Sequence, residues 1–443
     1  MVRGFPSRAK SRAARRAAKR PRRAGPLAAA ARELLFRRLG GIRGGSLEIR
    51  LPSGRSRRFG EPGDGLSAVV AVRDESAFRR FVFRGDIAFG ETYAEGLWTS
   101  PNLAAVTRLA ARNVRLFDSG GRAPALLSRA VQRLRHGRRR NSVEGSRENI
   151  RHHYDLGTDF YSLFLDPTLT YSCGVFEPPG ISLEEAQAAK FERIADALEL
   201  SPGDSLLEIG TGWGSFAAYA AGRRGCRVTT TTISRSQYDY VRERIARERL
   251  GDRVTLLLED YRSLGGRFDK AVSIEMFEAV GLDFYDDYFG TADRLLEPGG
   301  SMLLQTIWMN EERFSAYRRQ PDFIQRYIFP GSELASLAEI RRSLARATRL
   351  EVAGVDEIGP HYVTTLAAWR RAFLANADRV RALGFPETFL RMWDYYLAYC
   401  EGGFAEGYIG DAQVLLAKSA VRGASGRASS GETASRARRI GRD

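Results

Sequence analysis

Leu206-Leu207-Glu208-Ile209-Gly210-Thr211-Gly212-Trp213-Gly214 joins an apolar strand, with an acid near its end, to three alternate glycines and the start of a helix. Glycine lets backbone pass close to a ligand where any Cβ would collide. Outward from this turn, strand and helix patterns alternate: Ser205 to Ile209, Ser215 to Ala221, Val228 to Ile233, Gln237 to Arg249, Val254 to Leu258, Lys270 to Ile274, Tyr285 to Leu296 and Ser301 to Thr306. The alternation predicts an α/β fold, a parallel sheet covered on both faces, with ligands bound beyond the carboxyl ends of its strands where the strand order switches.

The turn also narrows the ligand. A dinucleotide site would read Gly-x-Gly-x-x-Gly with an acid about 20 residues on for the ribose. Here the glycines alternate, and the second strand is followed by Ser234, so NAD is disfavoured. S-adenosylmethionine has no pyrophosphate and needs only a tight turn under its amino-acid part and polar groups for ribose and adenine. Glu208, Gly210, Gly212 and Gly214 supply the first, while Asp260 and Tyr261, closing the third strand, offer an acceptor and a ring to adenine.

The chain has 443 residues, 43% hydrophobic and 28% charged, enough for two or three domains with substantial cores. No uninterrupted apolar run approaches the roughly 20 residues of a membrane span. Cys173, Cys226 and Cys400 lie far apart, without the pairing of a disulfide framework or the spacing of a zinc site, which points to a reducing cytoplasm. With four histidines no metal cluster is expected. The net charge of +16 is concentrated at the ends: residues 1–24 carry ten Lys or Arg and no acid, and residues 419–443 carry six Arg against two acids. Low-complexity composition predicts disorder over 1–25 and 419–443. Pro26 to Phe36 is broken by Arg32 and Glu33, so an export signal is not expected.

Leu47 to about Asn113 mixes alternating runs with turn signals and reads as a small α+β domain. Over 117–147, Leu126, Leu127, Ala130, Val131 and Leu134 recur at helical spacing among arginines, a basic amphipathic linker helix suited either to docking on an anionic lipid surface or simply to joining domains.

Several further peptides give the chain a family resemblance. They are Ile150-Arg151-His152-His153-Tyr154-Asp155-Leu156-Gly157, Leu165 to Cys173, Glu208 to Gly214, Thr232 to Gln237, Phe277-Glu278-Ala279-Val280-Gly281, Tyr327 to Gly331, and His361-Tyr362 leading to Trp369. In this order, over 148–418, they resemble the cyclopropane-fatty-acyl-phospholipid synthases and mycolic acid methyltransferases. Phe89 to Asn102 resembles the amino-terminal lipid-associated domain of the phospholipid-acting members, here 30–116. The resemblance implies a Rossmann-like class I S-adenosylmethionine-dependent methyltransferase fold with a seven-stranded, mostly parallel sheet. It adds Tyr171, Ser172, Thr232, Ser234 and Gln237 as cofactor contacts.

The implied chemistry is methyl transfer to the cis double bond of an unsaturated phospholipid acyl chain through a carbocation, giving a cyclopropane. The implied general base is a bicarbonate ion held by Cys173, Glu278, Gln305, Ile307 and Tyr362. A small anion against a greasy chain would both take the proton and stabilise the cation, more strongly where water is excluded. Gln305 stands where His is usual, Ala279 where His is frequent and Thr211 where Cys is common. An amide cannot ionise, and these departures resemble the branch that forms methylene or methyl-branched products, the latter with a partner reductase.

The aromatic set Trp308, Phe314, Tyr317, Phe323, Tyr327 and Phe329 is a candidate substrate cover, and Met392, Trp393, Tyr395, Tyr396 and Tyr399 a core helix with one face toward an acyl tunnel. The expected protein is cytoplasmic, attached peripherally to the inner face of the membrane; a homodimer is left open. The rival class, nucleic-acid binding through the arginine-rich ends, is disfavoured because the body carries little net charge and no base-reading motif.

Overall fold

The computed structural model describes residues 25–62, 65–118, 156–318 and 321–420. The arginine-rich ends, the linker helix expected over 117–147 beyond residue 118, and His152 and His153 lie outside the described residues.

Two sheets organise these residues. The first, of four strands in the order β2-β1-β3-β4, comprises β1 (Ser46–Arg50), β2 (Ser56–Gly60), β3 (Ser67–Val72) and β4 (Trp98–Thr99). In β3 burial alternates along Ser67–Val72, as a half-covered strand requires. Its apolar side meets α1 (Pro26–Leu39), α2 (Ser76–Ala94) and α3 (Leu103–Arg112). The Asn102 side chain starts α3 by accepting from the Ala105 N–H at 3.1 Å. Gly85, at φ 62 and ψ −142, breaks α2 into two parts.

The second sheet has seven strands in the order β10-β11-β9-β8-β5-β6-β7. They are β5 (Ser205–Ile209), β6 (Arg227–Thr231), β7 (Val254–Leu257), β8 (Phe268–Ile274), β9 (Leu296–Met309), β10 (Leu350–Glu357) and β11 (Ile409–Lys418). β11 runs antiparallel to β9 and β10, and the other pairings are parallel. Strand order reverses at β5, with β6 and β7 to one side and β8 and β9 to the other, so the crevice of this sheet opens over the glycine turn.

Helices α4 (Leu183–Ala197), α5 (Ser215–Tyr219), α6 (Arg235–Arg247), α7 (Tyr285–Leu295), α8 (Leu337–Ala347), α9 (Gly359–Ala375) and α10 (Glu387–Ala405) accompany the sheet. Each strand and helix expected from the alternation is present. The helix expected from Ser215 to Ala221 is α-helical only to Tyr219, then widens to a π-turn over Ala220–Arg224 that ends at Gly225, φ 76. The strand expected over Ser301 to Thr306 extends from Leu296 to Met309.

The two units meet along α10. A Cβ on Gly402 would lie 2.7 Å from Thr107 Oγ1 and 2.8 Å from the Arg108 backbone N, so α10 and α3 touch backbone to backbone. Thr107 Oγ1 donates to Ala398 O at 2.6 Å, and Arg108 and Arg112 both pair with Glu406. Tyr93 of α2 donates to Asp394 at 2.5 Å, whose other oxygen accepts from Arg370 of α9 at 2.6 Å.

Candidate active site

At the carboxyl end of β5, Gly210 and Thr211 donate their N–H groups to Thr231 O at 3.1 and 3.0 Å, bending the chain back over β6. Gly210, Gly212 and Gly214 hold φ 98, 53 and 78, the left-handed region that favours glycine. A Cβ at Gly214 would press on Val241 at 3.0 Å, whereas one at Gly212 would meet nothing within 4 Å and would enter the cavity. Glu208 is buried and accepts from the Thr230 hydroxyl at 2.5 Å. Burial pushes its carboxyl up to about 8, against the opposing effects of the Thr230 hydrogen bond and Arg244.

Thr232 donates to Gln237 Oε1 at 2.8 Å. Asp260 accepts from Arg262, including Nη2 at 2.7 Å, with Tyr261 beside it. Tyr171, Ser172, Glu208, Gly210, Gly212, Thr232, Gln237, Asp260 and Tyr261 all line one cavity. Gly214 and Ser234 do not: Gly214 packs on Val241 and the Ser234 hydroxyl caps α6. A buried Thr211 hydroxyl without a hydrogen-bond partner also lines the space. A glycine opening where a Cβ would intrude, an unspent hydroxyl and polar groups at both ends fit S-adenosylmethionine.

The expected anion-binding set lies at the neighbouring ends of β8 and β9, and here the structure departs from expectation. The donors converge on a carboxylate of the chain itself, Glu275. It accepts from the Cys173 N–H at 2.8 Å, Gln305 Nε2 at 2.8 Å and Tyr362 OH at 2.5 Å, while its own N–H donates to Gln305 O at 2.8 Å. The remaining two members pair with each other, the Ile307 N–H donating to Glu278 Oε1 at 2.6 Å with the Thr306 hydroxyl at 2.9 Å. Cys173 therefore contributes its backbone; its thiol, pushed up by burial, points to Gly174 O and Ile358 O. Gln305 does not line the cavity but stands behind Glu275, also reaching Asp411 Oδ2 at 3.3 Å.

Burial, then the charge of Glu275, push Glu278 up to about 7 and hold Asp411 well above the ordinary carboxyl range. Fully buried Lys190 donates to Ser172 Oγ at 2.6 Å, and burial lowers its ammonium to about 8 against the attraction of Glu275 and other nearby groups. A free bicarbonate does not fit these residues. Its donors are spent on Glu275 and Glu278, and its charge would enter beside these same two acids, which line the cavity.

Sequence reasoning missed Glu275, Asp411 and Lys190. Glu275 carries the signal that marked Glu208, an acid at the end of an apolar strand. Asp411 is an acid within an apolar strand, and Lys190, one of five lysines, sits on the buried side of α4.

The cavity, about 790 Å³, runs from the glycine turn past Glu275, Glu278 and Tyr362 into the amino-terminal unit. There its walls are mostly apolar, among them Leu35 and Leu39 of α1, Val70 and Val72 of β3, and Val106 and Leu109 of α3, with Arg38, Arg84 and Asp86 as charged members. Of the aromatic cover expected after β9, Tyr317 and Phe329 line it; of the later set, Tyr395, Tyr396 and Tyr399 do. Phe314 and Phe323 are buried core, and Trp308 donates to Glu357 at 2.7 Å.

Comparisons agree with this architecture. The family model described as Mycolic acid cyclopropane synthetase matches residues 141–414. The tuberculostearic acid methyltransferase of Mycobacterium tuberculosis is 37% identical over 88% of this chain and 92% of its own. The cyclopropane-fatty-acyl-phospholipid synthase of Escherichia coli K12 is 35% identical over 80% and 89%. A solved mycolic acid cyclopropane synthase complexed with SAH and CTAB superposes with a TM-score of 0.58 at 34% identity, covering 61% of this chain and 98% of that one.

Proposed function

Since the chain belongs to the mycolic acid cyclopropane synthetase family and is an S-adenosylmethionine-dependent methyltransferase, we propose that it methylates the cis double bond of an unsaturated acyl chain in a membrane phospholipid. One observation carries this reading: a single cavity joins the glycine turn to an apolar channel walled by the amino-terminal unit. S-adenosylmethionine, when bound, supplies an electrophilic methyl group on a sulfonium. The residues of the chain do the rest. Gly212 leaves room for the cofactor's amino-acid part, Asp260 and Tyr261 face its adenine, and the channel lays the olefin against the donor in near-attack geometry. The enclosing walls exclude water that would quench a carbocation, and Tyr171 and Phe329 are aromatic residues of that lining, whose π systems would favour a nearby cation.

Among the described residues no helix is long and apolar enough to cross a membrane. Access from the inner bilayer face fits the exposed Leu27 and Leu34 of α1 and Phe83 of α2, with Arg38 and Arg84 on the same two helices lining the cavity. The first reading of the product, the one the family resemblance implies, is a cyclopropane. Gln305 and Ala279, together with the likeness to a protein named for tuberculostearic acid, favour the second reading, a methylene or methyl-branched acyl chain whose reduction would need a separate partner.

Incubation with unsaturated phosphatidylglycerol liposomes and methyl-labelled cofactor is expected to place label in the acyl fraction. Mass spectrometry with a chemical test for ring, methylene and branch then assigns the product. Absence of label from every acyl chain offered would reject the reading.

A further inference from the structure

Of the groups that the family resemblance assigns to bicarbonate, the four donors used here are engaged by acids of the chain, while Glu278, itself an acid, keeps its buried Oε2 without a hydrogen-bond partner. Cys173 N–H, Gln305 Nε2 and Tyr362 OH hold Glu275, and the Ile307 N–H holds Glu278. A carboxylate presents the same planar O–C–O head as bicarbonate and accepts the same hydrogen bonds, so Glu275 delivers that head on a side chain. It lines the cavity wall between the glycine turn and the apolar channel, as do Glu278 and Tyr362. Its placement needs an unusual backbone. Glu275 follows β8 at φ 47, a left-handed conformation that side-chain-bearing residues rarely take and that persists where surrounding structure enforces it, often at functional sites. The hydrogen bond from its N–H to Gln305 O fixes this turn from below. A further anion would have to displace Glu275 from these donors and then share the cavity wall with Glu278.

We propose that Glu275 is the general base of this enzyme and replaces the external bicarbonate; this rests on the acyl-methylation reading above. Once the methyl group is on the acyl chain and the adjacent carbon is cationic, one C–H bond of that methyl breaks. The proton passes to a Glu275 oxygen. The electron pair stays on carbon, closing the third bond of a ring or, after hydride migration along the chain, forming the C=C bond of a methylene. No oxidant or reductant is consumed, and the protonated carboxyl returns its proton to water when product leaves.

The test compares the full-length enzyme in buffer purged of carbon dioxide with the same enzyme supplied with sodium bicarbonate. Wild-type turnover is expected to agree within about twofold. Glu275→Gln, whose amide keeps the shape but cannot accept the proton, should lose about 100-fold or more, as removal of a general base does, with no recovery on adding bicarbonate. Glu275→Gly opens the site, and bicarbonate should restore its turnover by about tenfold or more. Independently of turnover, the carbon-13 signal of labelled bicarbonate should broaden with Glu275→Gly and stay sharp with wild type. Wild-type activity that collapses without bicarbonate, a wild-type sample that broadens the signal, or full turnover by Glu275→Gln would each overturn the proposal while leaving the methylation reading intact. A wild type that labels no acyl chain overturns both, so the two failures are told apart; the wild-type arms stand even if a variant fails to fold.

Discussion

At residue scale, the glycine turn separates two jobs that one motif performs. Gly214 serves packing: alanine there combines φ 78 with a contact 3.0 Å from Val241, so Gly214→Ala should cost about 1–2 kcal/mol and lower the melting temperature. Gly212 serves the ligand. Its φ of 53 strains alanine as well, but no neighbour lies within 4 Å of the added methyl, which faces the cavity. Gly212→Ala should weaken cofactor binding about tenfold or more by calorimetry, with a smaller change in melting temperature than Gly214→Ala because it lacks the contact with Val241. A second expectation concerns Glu208, raised by burial from 4.5 to about 8. Between those values the folded protein keeps a proton that the unfolded chain has released, so stability falls as pH rises across the window and levels off above it. Glu208→Gln should flatten that slope in thermal unfolding of the cofactor-free protein between about pH 5 and about pH 8; an unchanged slope would count against the assignment. The glycine turn was legible because glycine at alternate positions leaves a local trace. Glu275 carries the same end-of-strand signal as Glu208, but in Glu275-Met276-Phe277-Glu278 two acids compete for it, and the left-handed conformation of a residue that is not glycine leaves no trace in sequence to choose between them.

At the scale of elements, strands followed by their own crossover helices were legible from periodicity. β10 and β11 were not read from it, since β11 returns antiparallel to β9 across more than a hundred residues and its apolar run has no local partner. The helix rich in tyrosine was recognisable, but its second role was hidden. α10 holds α3 through Gly402 and at the same time turns Tyr395, Tyr396 and Tyr399 into the cavity. Tyr396 also meets Tyr171 hydroxyl to hydroxyl at 2.8 Å, linking this helix to the cofactor end. Gly402→Ala would force backbone apart and should cost roughly 1–3 kcal/mol. Because the displaced helix carries channel tyrosines and not the glycine turn, KM for lipid should rise while cofactor affinity stays near its parent value. A shift in both, or in neither, would show that α10 is not the element that shapes the channel.

At the scale of the whole molecule, the cavity has a chemical end built on the large sheet and a greasy end built on the small one. Chain-length preference should therefore respond to residues far from the reacting groups. Leu109, 3% exposed on α3, lines the greasy end. Leu109→Trp should shift the product profile toward shorter acyl chains with little effect on cofactor binding, measured by mass spectrometry of a mixed-lipid reaction. A uniform loss across all lengths would mean the tail runs elsewhere. The shared wall bears on the lifetime of the protein as well. A tail lying across both units binds only the native pairing, so by mass action it resists their separation, by about 2.7 kcal/mol when free ligand exceeds its dissociation constant a hundredfold. On the acyl-methylation reading proposed above, the two halves starved of unsaturated lipid would lose that shared dowel and become easier prey for proteases, and a membrane rich in double bonds would preserve the catalyst that consumes them.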